Sequence, residues 1–412
     1  MYYIATNIIN PVNADNYEYI PECWLEIENG IILSISKNAP DKDFIDKRDC
    51  ICLPGLIDAH VHLSQFDIRG CRAPDLLEWL HRYVFPAELR SKQYDYAKDI
   101  AERFYRDALS KGTTTTVVYT APFKTACDAA FEMADKLKVR SIIGMTMMDT
   151  NCPEYLKQET EKALEDSVAL FEKWGNGDLL DYIFSPRFAI TCSEQLMKSV
   201  GKTAEKLSAR IQTHLSENHN EIALVSELFP HYNSYTDVYH QCGILGKRTI
   251  MGHSIHLNQN EISLLQQTDT RIAFCPDSNF FLKSGKFPFW NMIENNIKTA
   301  LSSDVGAGTE LSMFEVMKMA DYTVAEKGIN PANALYFSTL GAAEVIGLQD
   351  KIGSIETGKE ADMIFIKRKK QSEENIDLEL AQMIFLNREL KLDSTWVKGI
   401  KCFSGAKPGL TE

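Results

Sequence analysis

The chain has 412 residues, of which 44% are hydrophobic and 25% are charged, a composition typical of a folded globular protein. This length suits a large α/β core with a smaller second domain. The formal net charge of -13, with no basic stripe to offset it, argues against a nucleic-acid partner.

The ten cysteines are scattered and form no Cys-x-x-Cys pair, which argues against a disulfide framework and against a cysteine zinc knuckle. The N-terminus lacks the basic start and unbroken apolar core of a signal peptide. No run approaches the roughly 18 apolar residues of a membrane span. We therefore expect a soluble cytoplasmic protein with reduced thiols and no membrane partner.

Both ends of the chain are rich in predicted strands. In residues 24–36, Asn29 and Gly30 lie between alternating apolar positions, the pattern of a β-hairpin. Further β-rich sequence follows at residues 361–370 and 394–405. We expect the termini, residues 1–53 and 351–412, to build one small β-sandwich domain together.

Residues 54–350 alternate short apolar runs with longer amphipathic stretches, which predicts repeated βα units. After the first run, at GLID, the predicted strands and their polar exits are TTTTVVYTA, RSIIGMTMMD, DYIFSPRFA, RIQTHLSE, RTIMGHSIH, RIAFCPDSN and TALSSDVGA. Such a series, over a length close to the roughly 250 residues of a typical barrel, favours a (β/α)8 TIM-type barrel over an open sheet.

The first barrel strand carries a histidine pair. The segment PGLIDAHVHLSQ places His60 and His62 two residues apart directly after an apolar run. On a strand this spacing points both imidazoles to one face, as two ligands of a divalent metal require. The pair alone is equally compatible with two ordinary surface histidines, so the other strand ends must decide.

Polar residues also follow the later predicted strands. The carboxyl ends of barrel strands meet at one mouth, so residues far apart in sequence can converge there. The spacings assign the metal-site candidates to strands one, five, six and eight, and their imidazole and carboxylate groups suit zinc or iron. The polar residues at the strand exits are His60, His62, Arg187, His214, Glu217, His253 and Asp304.

The order of HVH, HLSEN, GHSIHL and SSDVGAG resembles the amidohydrolase superfamily over nearly the whole chain. Within it, the chain is similar to the guanine deaminases. This closer resemblance rests on Gln65 and on the blocks LLEWLHRYVFPAELR, SPRFAITCSEQLM, HLSENHNEI, FCPDSNFFLKSG and SSDVGAGTELSM.

The resemblance implies hydrolytic deamination of guanine to xanthine and ammonia by a metal-activated water. It also implies a homodimer, in which residues 376–392 could pack across chains. One zinc per chain is expected, with iron as the alternative, and the implied metal ligands are His60, His62, His214, His253 and Asp304. The implied substrate-binding residues are Gln65, Arg187, Phe188, His214 and Glu217.

The implied catalytic residues are Glu217, His253 and Asp304. Glu217 would exchange a proton between the water and a ring nitrogen, while Asp304 and His253 orient the water. Arg187 offers several donors in a fixed fork, which suits the guanine carbonyl oxygen.

Other amidohydrolases, acting on cytosine, a thioadenosine nucleoside, a pterin or a triazine, share the metal residues and remain alternatives. A non-catalytic scaffold would have lost metal ligands that this chain retains. The cytidine-deaminase type of zinc fold needs a Pro-Cys-x-x-Cys motif, which this chain lacks. Of the other histidines, His81 is predicted to be a packing residue and His256 a simple strand-end residue, with a hydrogen bond behind the metal site as its alternative. The predicted solvent-side histidines are His219, His231 and His240.

Overall fold

The structure is a computed structural model that describes residues 1–324, 327–368 and 375–405. The strands are β1 (Tyr2–Asn13), β2 (Asn16–Glu28), β3 (Ile31–Ser36), β4 (Phe44–Pro54), β5 (Leu56–His62), β6 (Thr113–Thr120), β7 (Arg140–Met147), β8 (Leu180–Pro186), β9 (Arg210–Leu215), β10 (Thr249–His253), β11 (Arg271–Phe274), β12 (Thr299–Leu301), β13 (Met363–Lys367), β14 (Leu392–Val397) and β15 (Ile400–Ser404).

The helices are α1 (Leu76–Trp79), α2 (Phe85–Arg90), α3 (Tyr94–Ser110), α4 (Lys124–Leu137), α5 (Thr160–Trp174), α6 (Glu194–Leu207), α7 (His219–Leu228), α8 (Tyr235–Gln241), α9 (Gln259–Gln267), α10 (Pro276–Phe281), α11 (Phe289–Glu294), α12 (Met313–Thr323), α13 (Pro331–Phe337), α14 (Leu340–Ile346) and α15 (Ile376–Phe385). Short 3-10 turns cover Leu63–Ile68 and Asn387–Glu389, and a π-helical turn covers Leu80–Val84. Within the described ranges, no helix is both long and apolar enough to span a bilayer.

The barrel consists of the eight-stranded sheet β5 to β12, in which each strand pairs parallel with its neighbour in sequence order. Two backbone hydrogen bonds join the segment after β12 to β5. His62 N donates to Val305 O at 2.6 Å, and Asp304 N donates to His60 O at 3.0 Å. The predicted (β/α)8 barrel is therefore confirmed, and this seam lies at the carboxyl ends of its strands.

The two termini form a seven-stranded sheet in the order β15-β14-β13-β4-β1-β2-β3, which confirms the predicted joint β domain. Along β4, Ile51 packs into the main core, whereas Cys50 faces a separate cluster within the small domain. The rings of Tyr2 on β1 and Trp396 on β14 lie 6.1 Å apart, although three strand spacings of about 4.8 Å separate their strands. The sheet therefore curls over its own face, as in a sandwich.

The predicted hairpin joins β2 to β3. Glu28 pairs with Ile31 across the turn, and Asn29 and Gly30 both have positive φ, at 52° and 80°. This left-handed conformation at both central positions is typical of the type I′ turn that Asn-Gly favours.

Local hydrogen bonds fix the chain where β9 passes into α7. Asn218 and Glu221 form a capping box at the start of the helix. The Glu221 carboxylate accepts from the backbone N–H of Asn218 at 3.1 Å and of Glu217 at 2.8 Å. Glu217 is therefore held by its own backbone at the mouth of the barrel.

Candidate active site

The carboxyl ends of four barrel strands bring the predicted metal-binding residues together. His60 and His62 lie at the end of β5, His214 in β9, His253 at the end of β10, and Asp304 just after β12. Ligand atoms of His60, His214, His253 and Asp304 all lie within 4.8 Å of one another. His62 lies beside this group, with its Nε2 3.1 Å from His214 Nε2 and 3.4 Å from Asp304 Oδ1.

These spacings fit one metal ion. Two ligands that are each about 2.1 Å from a common ion lie at most about 4.2 Å apart, and the distances of His62 Nε2 from His214 Nε2, 3.1 Å, and from Asp304 Oδ1, 3.4 Å, lie below that limit. His60 Nε2 lies 3.3 Å from Asp304 Oδ1, yet neither ring nitrogen of this fully buried histidine makes a hydrogen bond with the described residues. Burial lowers the pKa of His60, His62 and His214, and neutral imidazole is the form that binds metal.

Two of the histidines are oriented by partners on their second ring nitrogen. His214 Nδ1 lies 2.7 Å from Arg187 O, and His253 Nδ1 lies 2.9 Å from Asn279 Oδ1. Because these acceptors engage Nδ1, each Nε2 faces the centre of the site. The sequence did not point to Asn279, although it lies within the FCPDSNFFLKSG block on which the resemblance rests.

The two carboxylates of the site have opposite pKa shifts. Burial raises the pKa of Glu217, whose Oε2 lies 3.4 Å from His253 Nε2 and whose Oε1 accepts from Ser284 Oγ at 2.7 Å. Burial acts in the same direction on Asp304, but His60 and His253 outweigh it and lower the pKa to about 2. Glu217 is therefore suited to proton exchange, and Asp304 stays ionised.

His253 has two distinctive features. Burial alone would lower its pKa, but the negative charges of Glu217 and Asp304 outweigh burial and raise it. Its backbone also adopts the left-handed conformation, with φ at 64°, and Asp304 does the same with φ at 49°. Such conformations are uncommon for residues other than glycine and concentrate at functional sites.

Gly252 makes room for the metal site. A Cβ added at this position would lie 2.8 Å from His60 Cε1, closer than real side chains approach. Gly252 directly precedes His253 on β10. The strand that carries His253 therefore needs a glycine here to leave space for the ring of His60. Any larger residue there would displace the His60 imidazole.

A pocket opens beside the metal group, and His214, His253 and Asp304 form part of its lining. Its polar wall includes Gln65, from the 3-10 turn after β5, and Arg187, directly after β8. Phe188, Trp79 and Leu282 contribute apolar surface. All the substrate-binding residues predicted from the sequence, which are Gln65, Arg187, Phe188, His214 and Glu217, line this one pocket.

A buried acidic residue joins the two polar residues of that wall. Arg187 Nη1 donates to Glu88 Oε1 at 2.8 Å, and Gln65 Nε2 donates to the same oxygen at 3.1 Å. Glu88 lies on α2 and is buried. Within the block LLEWLHRYVFPAELR, the FPAE stretch at residues 85–88 favours guanine as the base, but no role for Glu88 itself was predicted from the sequence.

The remaining histidines lie mostly at the surface. His219, His231 and His240 are exposed, as predicted. The prediction that His81 packs inside is wrong: in the π-helical turn Leu80 and Val84 face the core, and His81 points away from that face and is exposed. The half-buried His256 has its Nε2 2.7 Å from the backbone oxygen of Ser284, whose hydroxyl bonds Glu217.

The chain matches the model of the amidohydrolase family over residues 51–401, and it belongs to that family. It is 37% identical over 370 residues to the guanine deaminase of Escherichia coli, covering 86% of this chain and 84% of that protein. It is 34% identical over 339 residues to the guanine deaminase of Homo sapiens, with coverages of 79% and 74%. A crystal structure of guanine deaminase from C. acetobutylicum with bound guanine in the active site has a TM-score of 0.92 and 30% identity, over 98% of this chain and 100% of that one.

Proposed function

We propose that this protein is a guanine deaminase, which hydrolyses guanine to xanthine and ammonia. The observation that carries the proposal is the joint placement of a His/Asp metal group, the carboxylate of Glu217 and the polar pair Gln65 and Arg187 around one pocket. The similarity to guanine deaminases from bacteria and human supports the same activity.

The proposed metal is one zinc ion per chain, with iron as the alternative. When bound, a divalent metal supplies Lewis-acid activation of water near neutral pH. Nitrogen and oxygen donors suit either metal, so the choice depends on availability as well as geometry. The residues proposed to hold it are His60, His62, His214, His253 and Asp304.

Glu217 is the proposed proton carrier. Burial raises its pKa, which favours the protonated carboxyl group and makes Glu217 a better proton acceptor than an exposed glutamate. It takes a proton from the attacking water and passes it to a ring nitrogen next to C2. It then takes the remaining proton from the new hydroxyl on C2 and gives it to the exocyclic amine, so that the C2–N bond breaks, ammonia leaves and the C2 carbonyl of xanthine forms. Asp304 stays ionised and, with His253, orients the water. The hydroxyl of Ser284 holds Glu217 Oε1 in place.

Arg187 is proposed to select the base by donating to the guanine carbonyl oxygen. Adenine carries an amine at the same position, which would place donor against donor. A site built on such hydrogen bonds rejects analogues without the matching group by about 10⁴ to 10⁵. Phe188 lines the pocket and is proposed to contact the face of the ring.

Steady-state ammonia release tests the assignment. We expect guanine to be preferred strongly over adenine, cytosine, a thioadenosine nucleoside, a pterin and a chlorotriazine. Arg187→Leu should lower the efficiency on guanine by about 10- to 100-fold, the loss of a charged hydrogen bond. Arg106→Leu, which removes an exposed arginine paired with Glu102, is the matched control. A parent enzyme that prefers another base would refute guanine as substrate and leave the family unchanged.

We further propose a cytoplasmic homodimer. The ten free cysteines of the structure support a reducing compartment. Helix α15 exposes Leu378, and Tyr322 of α12 is exposed where it stacks on Phe385. This apolar surface suits contact with a second copy. Light scattering after size exclusion should give a dimer for the parent and a monomer for Leu378→Asp, and cell fractionation tests the location.

A further inference from the structure

A single oxygen atom connects the two polar residues of the pocket wall. Glu88 Oε1 accepts from both Arg187 and Gln65, while Glu88 Oε2 has no hydrogen-bond partner among the described residues. The side chains of Glu88 and Arg187 are 1% and 4% exposed. Gln65 and Arg187 line the pocket, and Glu88 lies behind them.

The carboxylate determines which way the Gln65 amide faces. An ionised carboxylate only accepts hydrogen bonds, so the amide nitrogen of Gln65 must point to Glu88. The carbonyl oxygen Oε1 of Gln65 is then the group left for a ligand. Without an acceptor at this position the amide could turn over, because its two ends are nearly the same in shape.

The same contact leaves Arg187 with donors to spare. Its Nη1 is bonded to Glu88, and the rest of the planar guanidinium fork remains able to donate. The wall therefore presents one acceptor, from Gln65, and at least one donor, from Arg187. The guanidinium can only donate, whereas the Gln65 amide has this fixed polarity only because of the acidic residue behind it.

We propose that Glu88 is a positioning residue that sets the hydrogen-bond polarity of the pocket wall. An acceptor beside a donor matches a cyclic amide, in which an N–H stands next to a C=O, as N1–H and O6 do in guanine. This inference rests on the proposed function and deepens it. A purine with an amine at C6 would present the opposite polarity to both residues, an N without hydrogen to Gln65 and a donor to Arg187.

Direct binding of two purines to the metal-loaded protein tests the role of Glu88. Hypoxanthine carries N1–H and O6 but no 2-amino group, so it can bind without being deaminated, and unsubstituted purine lacks all three groups. In Glu88→Met, which is similar in size but has no oxygen acceptor, we expect hypoxanthine to bind about 10- to 100-fold more weakly by calorimetry, and purine to change by less than about threefold. Glu194→Gln, which removes a surface carboxylate paired with Lys198, should leave both constants unchanged.

The ratio of the dissociation constants of hypoxanthine and purine distinguishes a positioning role of Glu88 from general damage to the pocket. Equal weakening of hypoxanthine and purine in Glu88→Met, or unchanged hypoxanthine binding, would overturn the proposal. If this variant does not fold, Glu88→Asp keeps the charge but is one methylene shorter. It should reduce the preference for hypoxanthine over purine by at least about threefold. A parent that favours hypoxanthine over purine without deaminating guanine would refute the proposed function and leave the role of Glu88 standing.

Discussion

Replacing Arg187 by leucine should destabilise the fold as well as weaken binding. Arg187 and Glu88 form an ion pair with 2.8 Å between Nη1 and Oε1, and both side chains are almost fully buried. Removing one partner of such a pair leaves an uncompensated buried charge, at a cost of about 3 to 5 kcal/mol. For a chain of 412 residues we expect the melting temperature to fall by about 4 to 6 °C.

The double replacement of Arg187 and Glu88 by leucine should recover most of that loss. Exchanging a whole buried ion pair for apolar side chains is close to neutral, because neither charge is left without its partner. Gln65 would still lose the acceptor for its amide nitrogen, so a deficit of about 1 kcal/mol should remain. The double variant should therefore be more stable than the single variant, although it carries one more substitution.

Thermal and urea unfolding, on protein with the same metal content in every sample, measure these differences. Arg106→Leu, which breaks an exposed pair with Glu102, should stay within about 0.5 kcal/mol of the parent. A double variant no more stable than Arg187→Leu would show that the buried charge of Glu88 is not the cause of the loss. A single variant as stable as the parent would refute the whole argument.

Three further predictions concern catalysis, metal and pH. Glu217→Gln should keep the metal but lose at least a few hundredfold in turnover, and steady-state rates within tenfold of the parent would place proton transfer elsewhere. Metal analysis should find about one zinc per parent chain. Activity on guanine should vanish on chelation and in Asp304→Asn. A metal-free protein that remains active would contradict the proposed metal site. Burial and the nearby charge of Glu217 raise the pKa of Glu221 to about 7. Folding therefore takes up a proton between the ordinary carboxyl pKa and about 7, and stability falls as pH rises through that window. Glu221→Gln should reduce this fall, which melting temperatures at about pH 5 and about pH 8 measure, and the remainder belongs to the buried carboxyl groups of Asp58 and Glu217, whose pKa values burial also raises.

The sequence predicted the barrel well because each strand is a short apolar run with a polar exit, and the exits of parallel strands must converge. His214 and Asp304 could be placed at one mouth on that ground alone. The contact between Glu88 and Arg187 could not, since it joins residues 99 positions apart and depends on how α2 packs over the mouth. The prediction for His81 was wrong for a local reason, because residues adjacent in sequence point to different faces of a helix. The domain limits at residues 53 and 350 stay predictions.

The seam of the barrel also determines when the site can form. The Asp58 carboxylate on β5 accepts from the backbone N–H of Ser303, which lies 245 positions later in the chain. Asp58 lies two residues before His60 and Ser303 directly precedes Asp304, and both His60 and Asp304 offer ligand atoms to the candidate metal group. Closing so long a loop is among the last steps available to a folding chain. On the ribosome, a nascent chain that has made the first seven barrel strands would still have no complete ligand set. Completion of the proposed ligand set would therefore require the docked eighth strand, because Asp304 follows it directly.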